Sequence, residues 1–300
     1  MSEPQFRFTE EVVFVDSEDR LTLQGLLFRP TTPVSDIPVL WIHGLFSSFY
    51  ENSYVALGRE ISGRGFFFLT GKTRGHDFGA TLRTAGGSVV TGGSSWERLE
   101  ESPRDLAAWV DFLAASGFRR VVIAGHGLGA RKAAYYQAER QDARVAGLVV
   151  ASPSVPKNAS GAPTEDERNL LAVARQMAAA GRGDELLPSM GSGCPLSAAT
   201  YLDHEDPEAP FSNIFTVTGH SRSTPFVAEV NVPILAFFGS QERSPDGRDR
   251  GGELGLLRYG ARGSPQVTVT LLRGADYWYT GRISAVADVL AKFVTGLAAG

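Results

Sequence analysis

The sequence predicts an α/β fold in which a mostly parallel sheet is covered by helices on both faces. Short apolar runs alternate with amphipathic helical segments over the first half of the chain, and the same alternation resumes in its last quarter. Strands that are joined through helices run parallel in one sheet. The chain has 300 residues, of which 43% are hydrophobic and 21% are charged. This composition supplies a large core and excludes a disordered chain.

The predicted elements begin with a hairpin and continue as a series of strands and helices. Residues 6–15 and 21–28 predict the two hairpin strands. The other predicted strands are 38–42, 66–69, 120–124, 145–151, 232–238 and 266–272, and the predicted helices are 54–63, 102–115, 128–139, 166–180, 252–259 and 283–297. We expect Ser102 to cap its helix, Gly117 to end it, and the glycine-rich residues 85–95 to form a flexible loop.

The alternation is interrupted between residues 153 and 230. This stretch has proline and glycine clusters, one amphipathic helix and no strong strand pattern. It is typical of a cap inserted into a sheet domain. The sequence therefore predicts a core formed by residues 1–152 and 231–300, with a cap at 153–230.

Charge and cysteine content restrict the partners. The net charge of −4 gives no general attraction to nucleic acid or to anionic membranes, so we expect a small-molecule partner. The one cysteine, Cys194, excludes an intramolecular disulfide and a cysteine-built zinc site, and we expect neither a metal nor a cofactor. No apolar run has the length of a membrane span or the pattern of a secretory signal, so we expect a cytoplasmic protein. The oligomeric state is left open.

Five loop motifs follow predicted strands. The most specific is Gly125-His126-Gly127-Leu128-Gly129, which joins a strand to a helix as a G-x-S-x-G nucleophile elbow does, with glycine in place of the serine. The others are His43-Gly44, Arg74-Gly75-His76-Asp77, Gly239-Ser-Gln-Glu242 and Gly274-Ala-Asp-Tyr277. In this order and context the motifs resemble the α/β-hydrolase fold family over nearly the whole chain.

The resemblance implies where a Ser-acid-His triad would fall. The nucleophile position is Gly127, the acid position is Glu242 and the histidine position is Tyr277. Glycine has no atom with which to attack, and a phenol of pKa ~10 cannot replace imidazole as a proton carrier near pH 7. We therefore predict that serine-hydrolase activity has been lost. Gly127 either relieves the strain of the elbow turn or makes room for a substrate or a water molecule.

Backbone donors survive such side-chain changes. By the same resemblance, the amides of Leu45 and Leu128 form an oxyanion hole, to which the start of the following helix adds its positive end. His76 with Asp77 is either a structural network or a catalytic pair, and His126 is expected to point into packing. The predicted substrate-binding residues are His43, Phe46, Tyr50, Asp77 and Trp278, and the predicted catalytic residues are Glu242, Tyr277 and His76. Cys194, His204 and His220 lie in the cap, where Cys194 is an alternative nucleophile.

Three functions remain open. The first is a non-hydrolytic enzyme of lyase, isomerase or cyclase type that acts on an apolar carbonyl-containing small molecule of secondary metabolism, with Glu242 as base and Tyr277 as acid. The second is a ligand-binding pseudoenzyme without catalysis. The third is a hydrolase that uses a water activated by Glu242. The same residue types serve an acid-base site and a binding site, so the sequence does not choose between them.

Overall fold

The computed structural model describes residues 7–154, 164–188, 195–209, 211, 214–215, 225–244, 247 and 249–298. Its ten strands are β1 (Phe8–Asp16), β2 (Thr22–Pro30), β3 (Val39–Ile42), β4 (Phe68–Gly71), β5 (Ala80–Arg83), β6 (Val89–Gly92), β7 (Val121–His126), β8 (Val145–Ala151), β9 (Ile234–Gly239) and β10 (Val267–Leu272). The α-helices of the described residues are α1 (Asn52–Ser62), α2 (Ser102–Ala115), α3 (Leu128–Arg140), α4 (Glu165–Ala179), α5 (Ala198–Glu205), α6 (Gly251–Gly260) and α7 (Ile283–Ala298).

Eight strands form one sheet in the order β1-β2-β4-β3-β7-β8-β9-β10. β1 pairs antiparallel with β2, β2 pairs antiparallel with β4, and the remaining neighbours are parallel. The central strands β3, β7 and β8 are buried at every position, as expected when helices cover both faces. The predicted fold class is confirmed.

The sheet separates the apolar interior into two cores, and helices cover the core on each face. Trp109 of α2 and Tyr136 of α3 belong to the first core, and Leu57 of α1 and Leu290 of α7 belong to the second. Among the helices of the described residues, none is long and apolar enough to cross a membrane.

Helices α4 and α5 lie between β8 and β9, within the predicted cap. They share a small apolar cluster formed by Ala174, Met177, Leu187, Leu196, Ala198 and Tyr201. The sequence predicted α4 and missed α5, because eight residues give little more than two turns of periodicity. The hydroxyl of Ser197 caps α5 by accepting the N–H of Thr200. The boundaries of the cap remain a prediction.

Two local predictions were wrong. Residues 85–95 do not form a simple loop, because β6 pairs antiparallel with β5, and the turn between the two strands uses Gly87 at φ 82°. Ser102 does not cap α2. A 3₁₀ turn at Leu99–Glu101 leads directly into the helix, so the Ser102 hydroxyl donates to the Leu99 carbonyl instead. Gly117 follows the end of α2 at φ 97°, as predicted.

Candidate functional site

The candidate site lies at the carboxyl ends of the parallel strands, around the turn between β7 and α3. Gly127 occupies this turn with φ 57° and ψ −118°. Its N–H donates to the Ala151 carbonyl at 3.0 Å, and its carbonyl accepts the N–H of Ser154 at 3.1 Å. A Cβ on the next glycine, Gly129, would lie 2.2 Å from the carbonyl oxygen of Ile42. The glycines therefore allow α3 to begin directly against the sheet.

The hydroxyl of Tyr277 stands where a side chain at Gly127 would be. A Cβ built on Gly127 would lie 2.1 Å from this oxygen, far inside van der Waals contact. Tyr277 is in the loop after β10 and is half-buried. Burial and the nearby carboxylate of Glu242 raise the pKa of the phenol, so it stays neutral and can donate a hydrogen bond. The structure thus brings together the two residues that stand at the nucleophile and histidine positions of the motif pattern.

The backbone amides of Leu45 and Leu128 have no acceptor within the described ranges. The amides on either side of Leu45 are bound: the Gly44 N–H donates to the Tyr54 hydroxyl at 3.4 Å, and the Phe46 N–H donates to the Ser94 hydroxyl at 2.9 Å. Ser94 in turn donates to the Gly75 carbonyl at 2.6 Å. The loop is therefore fixed around an available N–H group, as an oxyanion hole requires.

Tyr54 and His126 connect the two loops of the site. The His126 Nε2 lies 2.9 Å from the Tyr277 carbonyl, and Nδ1 lies 2.9 Å from the Tyr54 hydroxyl. Because a carbonyl only accepts, Nε2 carries the proton and Nδ1 accepts from Tyr54. Burial lowers the pKa of His126 to about 4, so the ring is neutral. His126 points into packing, as expected. The sequence analysis missed Tyr54, which lies on α1.

Glu242, in the loop after β9, is held by a serine hydroxyl and a backbone amide. Its Oε1 accepts the Ser152 hydroxyl at 2.6 Å and the Gly239 N–H at 2.5 Å. Because Ser152 donates its one proton to the carboxylate, it accepts from Tyr279 at 2.8 Å. No hydrogen bond between described residues joins Tyr277 to Glu242, and Ser152 is the side chain that holds the carboxylate.

The second carboxylate oxygen of Glu242, Oε2, has no hydrogen-bond partner in the part of the chain that the structure describes. Burial raises the pKa of this carboxyl, while the hydrogen bonds from Ser152 and Gly239 act against the rise. The carboxylate thus has one anchored oxygen and one available oxygen. A general base needs that arrangement.

His76 and Asp77 form a group on the next loop. The His76 Nδ1 donates to Asp77 at 2.8 Å, and the Tyr50 hydroxyl donates to the same carboxylate at 2.9 Å. His76 is buried, and its Nε2 has no partner among the described residues. Phe46 stacks on the ring of Phe78, which follows Asp77, with centroids 4.5 Å apart. The group borders the Leu45 loop, and no hydrogen bond between described residues joins it to Tyr277.

His43 is not placed as a substrate-binding residue, whereas Trp278 lies at the surface beside the site. His43 is fully buried, its Nδ1 donates to the Gly44 carbonyl at 2.9 Å, and its Nε2 accepts the Thr73 N–H at 3.1 Å. The ring has no nitrogen left for a ligand, so it orders the loop. The Trp278 ring packs beside His126, with centroids 5.5 Å apart, and 41% of the residue is exposed, so its predicted role in substrate binding stays a prediction.

A buried ion pair between Lys132 and Glu97 is connected to His43 through Thr73, and the sequence analysis missed it. The Lys132 Nζ on α3 lies 2.5 Å from the Glu97 Oε1, and both side chains are fully buried. Lys132 also donates to the Thr73 hydroxyl at 3.0 Å, and Thr73 contacts His43. No sequence signal pairs two residues that are 35 positions apart.

The cap residues divide into described and undescribed positions. Cys194 and His220 lie outside the described residues, while His204 is buried on α5. Within the described ranges, no group of three or more His, Cys, Asp or Glu residues could hold a metal ion.

Comparisons with known proteins agree with this architecture. The sequence profile of the alpha/beta hydrolase fold matches residues 37–185. No curated protein matches the chain in sequence. Among solved structures, the alpha/beta hydrolase GrgF from Penicillium sp. sh18 is 14% identical, with a TM-score of 0.67 over 97% of this chain and 100% of that one.

Two further structures are similar in the same way. The esterase Est1E from Butyrivibrio proteoclasticus, with bound ferulic acid, is 16% identical, with a TM-score of 0.64 over 96% of this chain and 100% of that one. DcsB, in complex with its substrate analogue, is 15% identical, with a TM-score of 0.65 over 97% of this chain and 100% of that one. Strand order, elbow turn and these similarities lead to one conclusion: the chain has the α/β-hydrolase fold.

Proposed function

We propose that this protein is a non-hydrolytic enzyme that moves protons on a carbonyl-containing, largely apolar small molecule, with a triad that has lost its serine and its histidine. One observation carries the proposal: the neutral hydroxyl of Tyr277 occupies the space that a nucleophile's side chain would need at Gly127. An acyl-enzyme has no atom on which to form there. A hydroxyl donor beside two available amides suits the stabilisation of an oxyanion.

The reaction class follows from the roles of these groups. The substrate carbonyl oxygen accepts hydrogen bonds from the amides of Leu45 and Leu128 and from the Tyr277 hydroxyl. Glu242 removes a proton from the carbon next to the carbonyl, and the electron pair moves onto oxygen as an enolate. In an isomerisation, the enolate takes the proton back at another carbon. In a cyclisation, the enolate carbon instead attacks a second carbonyl carbon of the same molecule, whose oxygen takes the proton. In an elimination, the electron pair expels a leaving group from the β-carbon, and the leaving group takes the proton. Burial of Glu242 favours this role because it makes the carboxylate a stronger base.

Deuterium exchange tests the proposal without knowledge of the natural substrate. We expect the protein to catalyse the exchange of the α-hydrogens of apolar methyl ketones in D2O, followed by NMR. Glu242→Gln should slow this exchange by ~10² to 10⁴, the usual effect of losing a general base. Tyr277→Phe should slow it less if the phenol only donates a hydrogen bond. Tyr259→Phe is the matched control, because Tyr259 is 70% exposed on α6.

Two results would contradict the proposal. Stoichiometric labelling of a pocket hydroxyl by a fluorophosphonate probe, together with hydrolysis of p-nitrophenyl acetate, would restore a serine-hydrolase function. Ketone binding without exchange above the Glu242→Gln level would instead identify a binding protein.

A further inference from the structure

Arg131 is a buried cation one helical turn beyond the elbow. It follows Leu128 by three residues on α3, so the two side chains share one face of the helix. The Arg131 side chain reaches the described part of the cap, where its guanidinium donates to the Phe211 carbonyl at 2.7 Å. Arg131 is only 3% exposed. The same helix face therefore carries an oxyanion amide and a buried guanidinium.

The guanidinium has no carboxylate partner among the described residues. Its bond to Phe211 uses one of five N–H donors. The carboxylates of Glu205 and Asp203 act on Arg131 through their charge and form no bond with it among the described residues, and Asp203 is itself bonded to Arg98. Burial lowers the pKa of Arg131 to about 10, so the group is still charged at neutral pH. A buried charge without a bonded counter-ion is costly, and an anionic ligand would offset that cost.

His204 is a second polar side chain near Arg131, and one of its ring nitrogens is available for a ligand. It lies on α5, is 4% exposed, and its Nε2 has no partner in the described part of the chain. Burial and the nearby charges of Arg131 and Lys132 lower the pKa of His204 to about 3, so the ring is neutral and keeps one N–H donor. Arg131 and His204 thus lie close enough for the charge of Arg131 to act on the His204 ring, and each keeps an N–H donor.

We propose that Arg131, with His204 beside it, binds a carboxylate at the end of the substrate that is remote from the reacting carbonyl. The inference rests on the proposed function only for the position of the carbonyl, at the amides of Leu45 and Leu128. Three residues of α-helix separate the two anchors by ~4.5 Å along the helix axis, before the reach of the arginine side chain is added. The substrate class is a keto acid with an apolar chain between its two polar ends.

Calorimetric binding to defined probes tests this assignment. The probes are keto acids of increasing length with a terminal carboxylate, their methyl esters, and alkanoic acids of the same length without the ketone. The best keto acid should bind wild type about tenfold to a hundredfold more tightly than its ester, the range of a charge-assisted hydrogen bond. Arg131→Gln should abolish this ratio and leave ester affinity unchanged. Glutamine keeps a donor for the Phe211 carbonyl.

Arg140→Gln is the control, because Arg140 ends the same helix and pairs at the surface with Glu18. Equal affinity of acid and ester in wild type would overturn the proposal, and so would the absence of keto-acid binding at millimolar concentration. It would also be overturned if Arg131→Gln lowered stability while keeping the acid-to-ester ratio, since Arg131 would then be a structural tie to Phe211. The alkanoic acids report the Arg131 site alone, so a failure of Glu242 or Tyr277 in the exchange assay is a separate result.

Discussion

At the scale of single residues, Gly127 and Tyr277 depend on each other. The Tyr277 hydroxyl leaves no room for a side chain at position 127, and the missing side chain makes room for the hydroxyl. A side chain at position 127 and the hydroxyl at position 277 cannot both occupy the same volume. Tyr277 is further fixed by the His126 bond to its carbonyl, and His126 is fixed by Tyr54. Restoring a serine at the elbow would therefore displace a hydrogen-bonded loop before it could supply a nucleophile.

A small cycle of variants measures this exclusion. Gly127→Ala should lower the free energy of unfolding by ~2 to 5 kcal/mol, because overpacking adds to the strain of a positive φ. Tyr277→Phe removes the oxygen that lies 2.1 Å from the new Cβ, so Gly127→Ala should cost less in that background. Gly281→Ala is the control for strain alone, since Gly281 has φ 65° and open space around it. Equal costs of Gly127→Ala in both backgrounds, measured by urea unfolding, would contradict the exclusion.

The site residues that could be predicted from the sequence belong to contiguous motifs, and those that could not be predicted act through contacts between distant segments. The elbow could be recognised because its glycines and the following helix are contiguous, and the position of Glu242 follows from the strand before it. Ser152, Tyr54 and the pair of Lys132 with Glu97 act through contacts between distant segments. A hydroxyl or a charge has no local signature of its partner, so these contacts appear only when the fold is known.

At the scale of elements, α3 connects the site to the interior. Its first amide faces the candidate oxyanion hole, and its next turn carries Arg131 and Lys132. The burial of Glu97 raises the pKa of that carboxyl, and Lys132 acts against the rise. Removing one partner of such a pair leaves an uncompensated buried charge, which is far more destabilising than the pair is stabilising.

Lys132→Met should therefore be strongly destabilising, and more so at high pH. Glu97 then has a folded-state pKa further above its unfolded value, so the unfolded state binds fewer protons and stability falls as the pH rises through the folded pKa. We expect a loss of ~3 to 5 kcal/mol at pH 8 and a smaller loss at pH 5, measured by urea unfolding. Glu97→Gln combined with Lys132→Met should recover part of the loss. Arg140→Met, at a surface pair, should change stability little at either pH. A pH-independent cost of Lys132→Met would contradict the assignment of a buried charge.

At the scale of the whole molecule, residues 94–99 act as a strap between the core and the described part of the cap. Toward the core, Ser94 holds the Phe46 amide and Glu97 contacts Lys132. Toward the cap, the Ser95 hydroxyl donates to the Pro195 carbonyl at 2.6 Å, and Arg98 makes a two-bond ion pair with Asp203 on α5. The position of the cap and the placement of the Leu45 amide are therefore mechanically linked.

Hydrogen exchange can measure this link through Asp203, which accepts from the Arg98 side chain at 2.8 and 3.0 Å and from the Leu99 N–H at 3.3 Å. Asp203→Asn keeps the shape but removes the charge, so the amides of α5 should exchange ~10 to 100 times faster, as expected for the loss of charge-assisted bonds. The central strands β3, β7 and β8 should keep their protection.

Exchange of the Phe46 amide shows whether the effect passes through the strap, because this amide donates a hydrogen bond to Ser94 of the strap. We expect its exchange to accelerate in Asp203→Asn and to stay unchanged in Asp206→Asn. Asp206 pairs with Arg175 on α4, so its replacement loosens the cap internally and leaves its attachment to residues 95–99 intact. Faster exchange in α5 with an unchanged Phe46 amide would show that the cap moves independently of the oxyanion loop. Cap closure then could not position the Leu45 amide, and the loop would owe its geometry to contacts within the core, such as those of Tyr54, Ser94 and His43.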